Sequence, residues 1–424
     1  MVGHIQTQLV LKVKNPYRIA IICGHFMPEV GYQEVYLARA ISSLGHELKV
    51  FTSDKISPSS RKVIPNRERY KQGKFRDGNY PYEIVRLKTL ISYSANLLPV
   101  GLQKNVDAFD PHIIIIVGVG KVFPYPILRK GGNRMRFILT LLGNNIDMAA
   151  WRKPSIKGYL KNILLKSCLY NKSVQISNYL VLYTPSTKEI LKRIVRKELH
   201  DRIDKIGFQS SLGFDENDFY FDRSQRGLIR SQYKIMREDV VCVTSTRLTP
   251  NKRIEGILEV IDTIQKRVPH KRIWYFLIGG LNDAYSLMLK RYIEKFSISD
   301  RVIILPFMEH AALRAYYSAS DIGIWKNAAI SIQESMGTGL YVLLEDKTSV
   351  NHLVIEDNNG CLYEKGGILN ALGELIEQKA PILHDLNERE TRRINNFNRF
   401  AYSNIAKSLI ELFDLSLNSN SVNA

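Results

Sequence analysis

The sequence is poor in several features that would have settled its class quickly. Its four cysteines, Cys23, Cys168, Cys242 and Cys361, include no CxxC and no Cys/His ligand spacing. They are expected as reduced core thiols in a cytoplasmic protein, not as a disulfide frame or a zinc site. Nine histidines include no HxxxH and no HxH, so a histidine metal cluster is not indicated. The longest apolar run, IIIIVGVG at 113–120, is strand-sized. It falls far short of the roughly 18–20 residues that cross a bilayer. The opening MVGHIQTQLVLKVKNPYR lacks a basic head followed by an apolar core and does not read as a signal peptide. There is no G-x-G-x-x-G after the first strand, which argues against a dinucleotide oxidoreductase. There is no RNP, KH or zinc-finger pattern either, which argues against nucleic-acid binding.

Positive charge, by contrast, is plentiful and uneven. The net charge is +19 over 424 residues. Residues 1–215 hold 34 Lys and Arg against 15 Asp and Glu, and residues 216–424 hold 26 of each. The whole excess lies in the first half. That implies an anionic partner there, whether membrane lipid, nucleic acid or an acidic substrate, unless the charge serves solubility alone. WRKPSIKGYLKNILLKSCLYNK at 151–172 alternates Lys157, Lys161 and Lys172 with Leu160, Ile163, Leu164 and Leu169. It reads as a basic amphipathic helix suited to an anionic lipid surface, or as an ordinary surface helix. The 59–76 loop is a second basic patch.

Apolar runs alternate with helix-period segments in two series. YRIAIIC (17–23) precedes a helix at 32–46, in which Leu37, Ala40, Ile41 and Leu44 share one face. Strands follow at 47–52, 82–88, 111–118, 137–142 and 178–184. The pattern restarts with strands at 239–245, 272–279, 301–306, 321–325 and 340–344, separated by helices from about 253, from about 283, at 311–319 and near 331–337. Such alternation predicts an α/β protein of two Rossmann-like doubly wound domains facing across a cleft. The break falls near 208–235, in the polar FQSSLGFDENDFYFDRSQRG. The tail SLNSNSVNA (416–424) is polar and expected to fray.

Two stretches of the second half carry chemistry. In VCVTSTRLTPNKRIEGILEVI (241–261) a buried strand ends at Ser245, and Arg247 and Lys252 occupy the turn before a helix. An Arg fork, a Lys point charge and free helix-start amides suit a diphosphate, though basic residues on a turn can also be merely solvated. In IWKNAAISIQESMGTGLYVLL (324–344) a strand, a loop of small residues and a short helix carry one acid, Glu334. A carboxylate there suits a ribose diol, or it stabilises the helix start as an ordinary N-terminal acid.

The order Arg247…Lys252, LIGG (277–280), PFMEHAALRAYYSASDIGIW (306–325) and SIQESMGTGLYVLL resembles the carboxyl half of the GT-B glycosyltransferases of family 4, the glycosyl transferases group 1. RIAIICGHFMPEVGYQEVYLARAISSLGHELKVFTS (18–53) is similar to that family's first strand, glycine loop and helix. FNRFAYSNIAKSLIELF (397–413) is similar to its closing helix. The resemblance implies an acceptor-binding domain at 1–212, a nucleotide-sugar domain at 213–396 and a segment at 397–424 returning to the first domain. It also implies roles for particular residues. Arg247 and Lys252 hold the donor diphosphate and act in catalysis. Glu334 holds the ribose, Ser331 and Ile332 bring amides to the phosphates, and Gly279 and Gly280 lie beside the base. Gly31 lies near the sugar and acceptor, and its neighbours Gln33 and His25 are candidates for the same side on their position alone.

The departures from the family pattern are equally specific. The first glutamate of the family's E-x7-E motif is Lys326, in a loop, WKNAAISI, closer to the W-P-G-x-x-S-I-S branch. The proline usual after the EAMxxG block is Tyr341. A histidine often found in the first domain falls near Leu142, leaving Asn144, Asn145 and Asp147 as the nearby polar candidates. The sequence has no D-x-D, and neither a metal nor another cofactor is expected. The expected activity is transfer of a sugar from a nucleotide-diphosphate sugar to a glycan or lipid-linked acceptor, with retention. The expected location is the cytoplasm, peripheral on the inner face of a membrane. The alternative is a catalytically weakened protein that still binds a nucleotide sugar.

Overall fold

The computed structural model describes residues 16–58, 64, 67–78, 80–93, 96–130, 136–143, 167–280 and 283–422. The chain divides into two compact units, 1–211 with 405–424, and 212–404.

The first unit is built on an eight-stranded sheet. From edge to edge its strands are Gly207–Gln209, Tyr179–Leu182, Phe137–Leu142, Ile113–Val117, Arg18–Ile22, Glu47–Ser53, Glu83–Leu87 and Gly73–Arg76. Every pairing is parallel except the last, at one edge. The central strands are continuous apolar runs because helices cover both faces of a parallel sheet. Ile113–Val117 is buried at all five positions. From Arg18–Ile22 the chain steps to one side, to Glu47–Ser53. It later returns on the other side at Ile113–Val117, so the order reverses between these neighbours.

The second unit has six strands, all parallel, ordered Val302–Pro306, Ile273–Gly280, Val240–Ser245, Ile322–Trp325, Tyr341–Glu345 and Gly360–Tyr363. Its order reverses between Val240–Ser245 and Ile322–Trp325. In open sheets of this kind, ligands bind outside the carboxyl ends of the strands at such a reversal.

Elements that positioned no apolar stripe in the sequence are held by charge. The helix Arg223–Gln232 forms inside the segment expected as linker. Asp222 caps it, its carboxylate accepting the Gln225 amide at 3.0 Å. Arg226 and Arg230, four apart and so on one face, reach buried Asp321 at 2.8 and 3.2 Å. Burial alone would raise the Asp321 pKa, but Arg226, Arg230 and His384 outweigh it and hold it at about 2.

The single closing helix expected over 397–413 is two helices, Leu386–Phe400 and Tyr402–Val422, broken at extended Ala401. The tail expected to fray is helical through Val422. Cys23 and Cys242 are buried and Cys361 is half-buried, but Cys168 is exposed, contrary to its reading as a core thiol. No helix among the described residues is long and apolar enough to cross a membrane. Of the basic amphipathic segment, 151–166 lies outside the described residues. The rest joins the helix Ser167–Ile176, with Leu169, Tyr170 and Val174 buried.

Candidate functional site

The reversal in the second sheet gathers the sequence candidates. Val240–Ser245 is buried throughout, and the chain leaves its end through exposed Arg247 into the 3₁₀ turn Pro250–Lys252. Arg253 then adopts a left-handed backbone, φ 53° and ψ 46°, before the helix Glu255–Arg267. The helix thus starts two residues later than expected, and the intervening turn holds three cations. Lys252 is half-buried. Desolvation lowers its pKa first, and the nearby Arg247 lowers it further. Two cations brought close with no carboxylate between them cost electrostatic energy that an anionic ligand would relieve.

The second wall follows Ile322–Trp325. The helix Ile330–Gly337 lies where a helix near 331–337 was expected. Its start is anchored to the first wall. The Ser245 carbonyl accepts both the Ser331 hydroxyl at 2.7 Å and the Trp325 indole N–H at 3.0 Å. The Asn327 amide donates to the Asn251 carbonyl at 2.8 Å, tying the small-residue loop to the cationic turn. The far end of the helix is braced by buried Arg389, which donates to the carbonyls of Thr338, Ser320 and Tyr317 at 2.9, 2.6 and 2.7 Å.

This anchoring changes how Ser331 and Ile332 can act. The Ser331 hydroxyl is committed to Ser245, and the Ile332 amide donates to the Ala329 carbonyl at 3.2 Å with its side chain in the core. Glu334 is 5% exposed, and no described side chain hydrogen-bonds its carboxylate. Burial raises its pKa to about 7, partly offset by His310, with Asp218 adding to the rise. His310 and Asp218 themselves pair at 2.9 Å. A buried carboxylate without donors is costly by itself, and two hydroxyl donors from a ligand would satisfy it.

Lys326 turns toward the other wall. A Cβ built on Gly256 would stand 2.6 Å from the Lys326 ammonium, so the missing side chain at 256 makes room for it. Desolvation lowers the Lys326 pKa, opposed by Glu345, Glu259 and Glu255 and reinforced by Arg253. Its own carbonyl accepts the Lys347 ammonium at 2.5 Å. Gly279 and Gly280 have a local reason to be glycine. Gly279 sits at φ 109°, and a Cβ there would lie 2.1 Å from the Thr246 carbonyl. At Gly280 it would lie 3.0 Å from Ile304. The strand therefore closes onto the Thr246–Arg247 turn.

The reversal in the first sheet holds the other candidates. Gly31, at φ 65°, leads into the helix Gln33–Ser43. The Gln33 side-chain oxygen is buried without a partner. His25 Nδ1 lies 3.1 Å from the Lys55 carbonyl, so this nitrogen carries the proton, and buried Nε2 is left as an unpaired acceptor. Desolvation, Lys121 and Arg86 keep the ring neutral by lowering its pKa against the Lys55 bond. Asn144, Asn145 and Asp147 lie outside the described residues.

Three residues join these sites that the motifs had not marked. Arg253 is the third cation of its turn. Lys121 follows Gly118 and Gly120, at φ 84° and 85°, and acts electrostatically on His25 and Glu34. Glu34, second in its helix, is partly exposed yet closely enclosed, and that enclosure raises it to about 7. The GVGK sequence after an all-apolar strand was a readable signal for Lys121. Nothing in the spacing marks Glu34. Among the described residues no group of three or more His, Cys, Asp or Glu could hold a metal.

Comparisons with known proteins bear on this geometry. Residues 225–396 match the family model described as Glycosyl transferases group 1. No curated protein matches the chain. Among solved structures, sucrose-phosphate synthase from Thermosynechococcus elongatus is similar at TM-score 0.66 and 16% identity, covering 95% of this chain and 100% of that one. HepE from Anabaena, in complex with UDP and glucose, is similar at TM-score 0.65 and 16% identity, covering 94% and 99%. The catalytic domain of starch synthase IV from Arabidopsis thaliana, bound to ADP and acarbose, is similar at TM-score 0.62 and 12% identity, covering 95% and 99%. The chain therefore has the GT-B fold, and its residues 225–396 match the glycosyl transferases group 1 family model.

Proposed function

We propose that the protein transfers a sugar from a nucleotide-diphosphate sugar to an acceptor hydroxyl. The observation that carries this is the convergence, at the reversal of the second sheet, of the Arg247–Lys252 turn with the helix bearing unpaired, buried Glu334. Arg247 and Lys252 hold the diphosphate and stabilise the charge it gains on leaving, a form of electrostatic catalysis. Glu334 accepts the ribose hydroxyls. The bond from the anomeric carbon to the diphosphate oxygen breaks as that carbon bonds to the acceptor oxygen. With retention, the acceptor's proton passes to the departing phosphate. This route requires no metal and no protein nucleophile.

The acceptor side belongs to the first unit, around Gly31, Gln33 and His25. The +19 excess of the first half supports a membrane-associated glycolipid or polysaccharide intermediate as acceptor, with the protein held peripherally on the inner, cytoplasmic face.

A donor panel tests the reading. UDP-glucose and ADP-glucose should raise the melting temperature, and slow donor hydrolysis should accompany binding. Arg247→Ala should lower kcat/KM by about 10²–10³-fold with the fold kept. Unchanged turnover in that variant would remove the diphosphate assignment. Tight donor binding with no turnover on any acceptor would favour a nucleotide-sugar-binding protein instead, a reading to which Lys326 in the E-x7-E position lends support.

A further inference from the structure

We propose that the first unit carries a separate binding site for a phosphate group, in the groove between the helices Tyr125–Lys130 and Ser167–Ile176. The groove encloses about 640 Å³ of open space. Arg129, Lys172 and Arg196 project from three different segments onto it, and no carboxylate lines it among the described residues. Neither Arg129 nor Lys172 has an ion-pair partner among the described residues. Arg196 has only Glu198, at 4.0 Å, with both side chains well exposed. Several other cations of this unit are closely matched: Arg39 with Asp77 at 2.8 Å, Arg136 with Asp107 at 2.7 Å, and Lys188 and Lys192 with Asp204 at 2.7 and 2.8 Å. Here, instead, three cations share one concavity.

The walls are fixed rather than loose. Asn171 accepts the Arg196 backbone amide at 2.9 Å and donates to the Ser167 hydroxyl at 3.3 Å, which in turn donates to the Ile194 carbonyl at 2.9 Å. Leu169, Tyr170 and Val174 bury the opposite side of the same helix, so its Cys168, Lys172 and Gln175 are held facing the groove. Two guanidinium forks, an ammonium and an amide N–H₂ around one concavity match the oxygens of a phosphate ester. The phosphate could belong to a lipid headgroup or to a soluble phosphorylated molecule; the chemistry is the same. This site stands apart from the donor reading above, and it absorbs the described end of the basic 151–172 segment.

Cys168 reports on occupancy because it is exposed in the groove while Cys23 and Cys242 are buried. In the full chain, alkylation of Cys168 is followed by peptide mass spectrometry. The probes are inorganic phosphate, sodium chloride at matched ionic strength, and vesicles of phosphatidylglycerol or phosphatidylcholine. Phosphate or phosphatidylglycerol should slow alkylation several-fold where chloride and phosphatidylcholine do not. The triple variant Arg129→Ala, Lys172→Ala, Arg196→Ala should lose that protection with an unchanged melting temperature. Protection by phosphate alone assigns a soluble ligand; protection by vesicles alone assigns a headgroup. No protection by either probe, or equal protection in the triple variant, overturns the proposal. UDP-glucose hydrolysis by the triple variant should match wild type, so failure of the donor reading and failure of the groove are distinguishable.

Discussion

Each sheet ends in a crevice where its strand order reverses, and the two crevices are furnished in different ways. In the second unit, the polar groups of the loops are largely spent on one another: Ser331 and Trp325 on the Ser245 carbonyl, and Asn327 on Asn251. What remains is a cationic turn and a single carboxylate. In the first unit, the His25 Nε2 and the Gln33 oxygen remain buried and unpaired, beside Glu34 and Lys121. A site for one recurring anion can be pre-satisfied everywhere else. A site that must meet varied hydroxyls keeps acceptors open, and each costs stability until a ligand arrives.

Lys252→Ala against Lys121→Ala is the widest test of that division. The first should weaken UDP-glucose transfer by about 10²–10³-fold and the second by about tenfold or less, without altering UDP-glucose affinity. Calorimetric titration with UDP-glucose checks this, and equal losses of affinity would erase the contrast.

Backbone comes next. Gly279→Ala combines a φ of 109° with a Cβ 2.1 Å from a carbonyl oxygen, and should destabilise by about 2–4 kcal/mol. In the first unit, a Cβ at Gly120 would meet the Tyr170 ring at 2.8–2.9 Å. A side chain yields more than backbone does, so Gly120→Ala should cost less. Urea midpoints order the two.

The carboxylates Glu34 and Glu334 both sit at about 7, against an ordinary 4.5. Each folded-state value lies above the unfolded one, so the fold binds the extra proton between pH 4.5 and about 7. Stability therefore falls as pH rises through that window, and the cost is fully present above it. Glu334→Gln should raise stability at pH 8 by about 1–3 kcal/mol, with the gain fading toward pH 4. Glu34→Gln should gain less, because its carboxylate is partly exposed. Only Glu334→Gln should weaken UDP-glucose binding. Melting curves at pH 5 and 8 check the first claim, and donor titration checks the second.

The smallest effect is expected at Gly256→Ala. Helix propensity favours alanine by up to about 1 kcal/mol, and the obstructing atom is the end of a flexible lysine. Stability should hold or rise slightly, while the displaced Lys326 raises the donor KM a few-fold. An unchanged KM would mean that the ammonium only fills space.

Most strands of both sheets, and the helices at 32–46 and from about 253, about 283, 311 and 331, were legible because buried parallel strands are near-continuous apolar runs and these helices keep one apolar face; helices such as Leu102–Phe109 and Ser186–Ile194 were not. Phe137–Leu142 fell where its run predicted. The helix Arg223–Gln232 was not legible, since it is held by Arg226 and Arg230 on an aspartate almost a hundred positions away. The short edge strands Gly73–Arg76 and Gly207–Gln209 carry too few residues for a pattern. At the site, residue types and order gave the cationic turn and Glu334. The sequence could not show that Lys326 turns to Gly256, or that Glu34 is enclosed, because both depend on what other segments bring alongside.

The Ser245 carbonyl has two lone pairs, and both are taken, one by the strand end at Trp325 and one by the helix start at Ser331. That oxygen works as a hinge pin shared by the two loops. A ligand that orders the cationic turn is therefore expected to bear on the helix that carries Glu334, so that its phosphate and ribose ends would be felt cooperatively. Ser331→Ala would leave every charged group in place and still uncouple them.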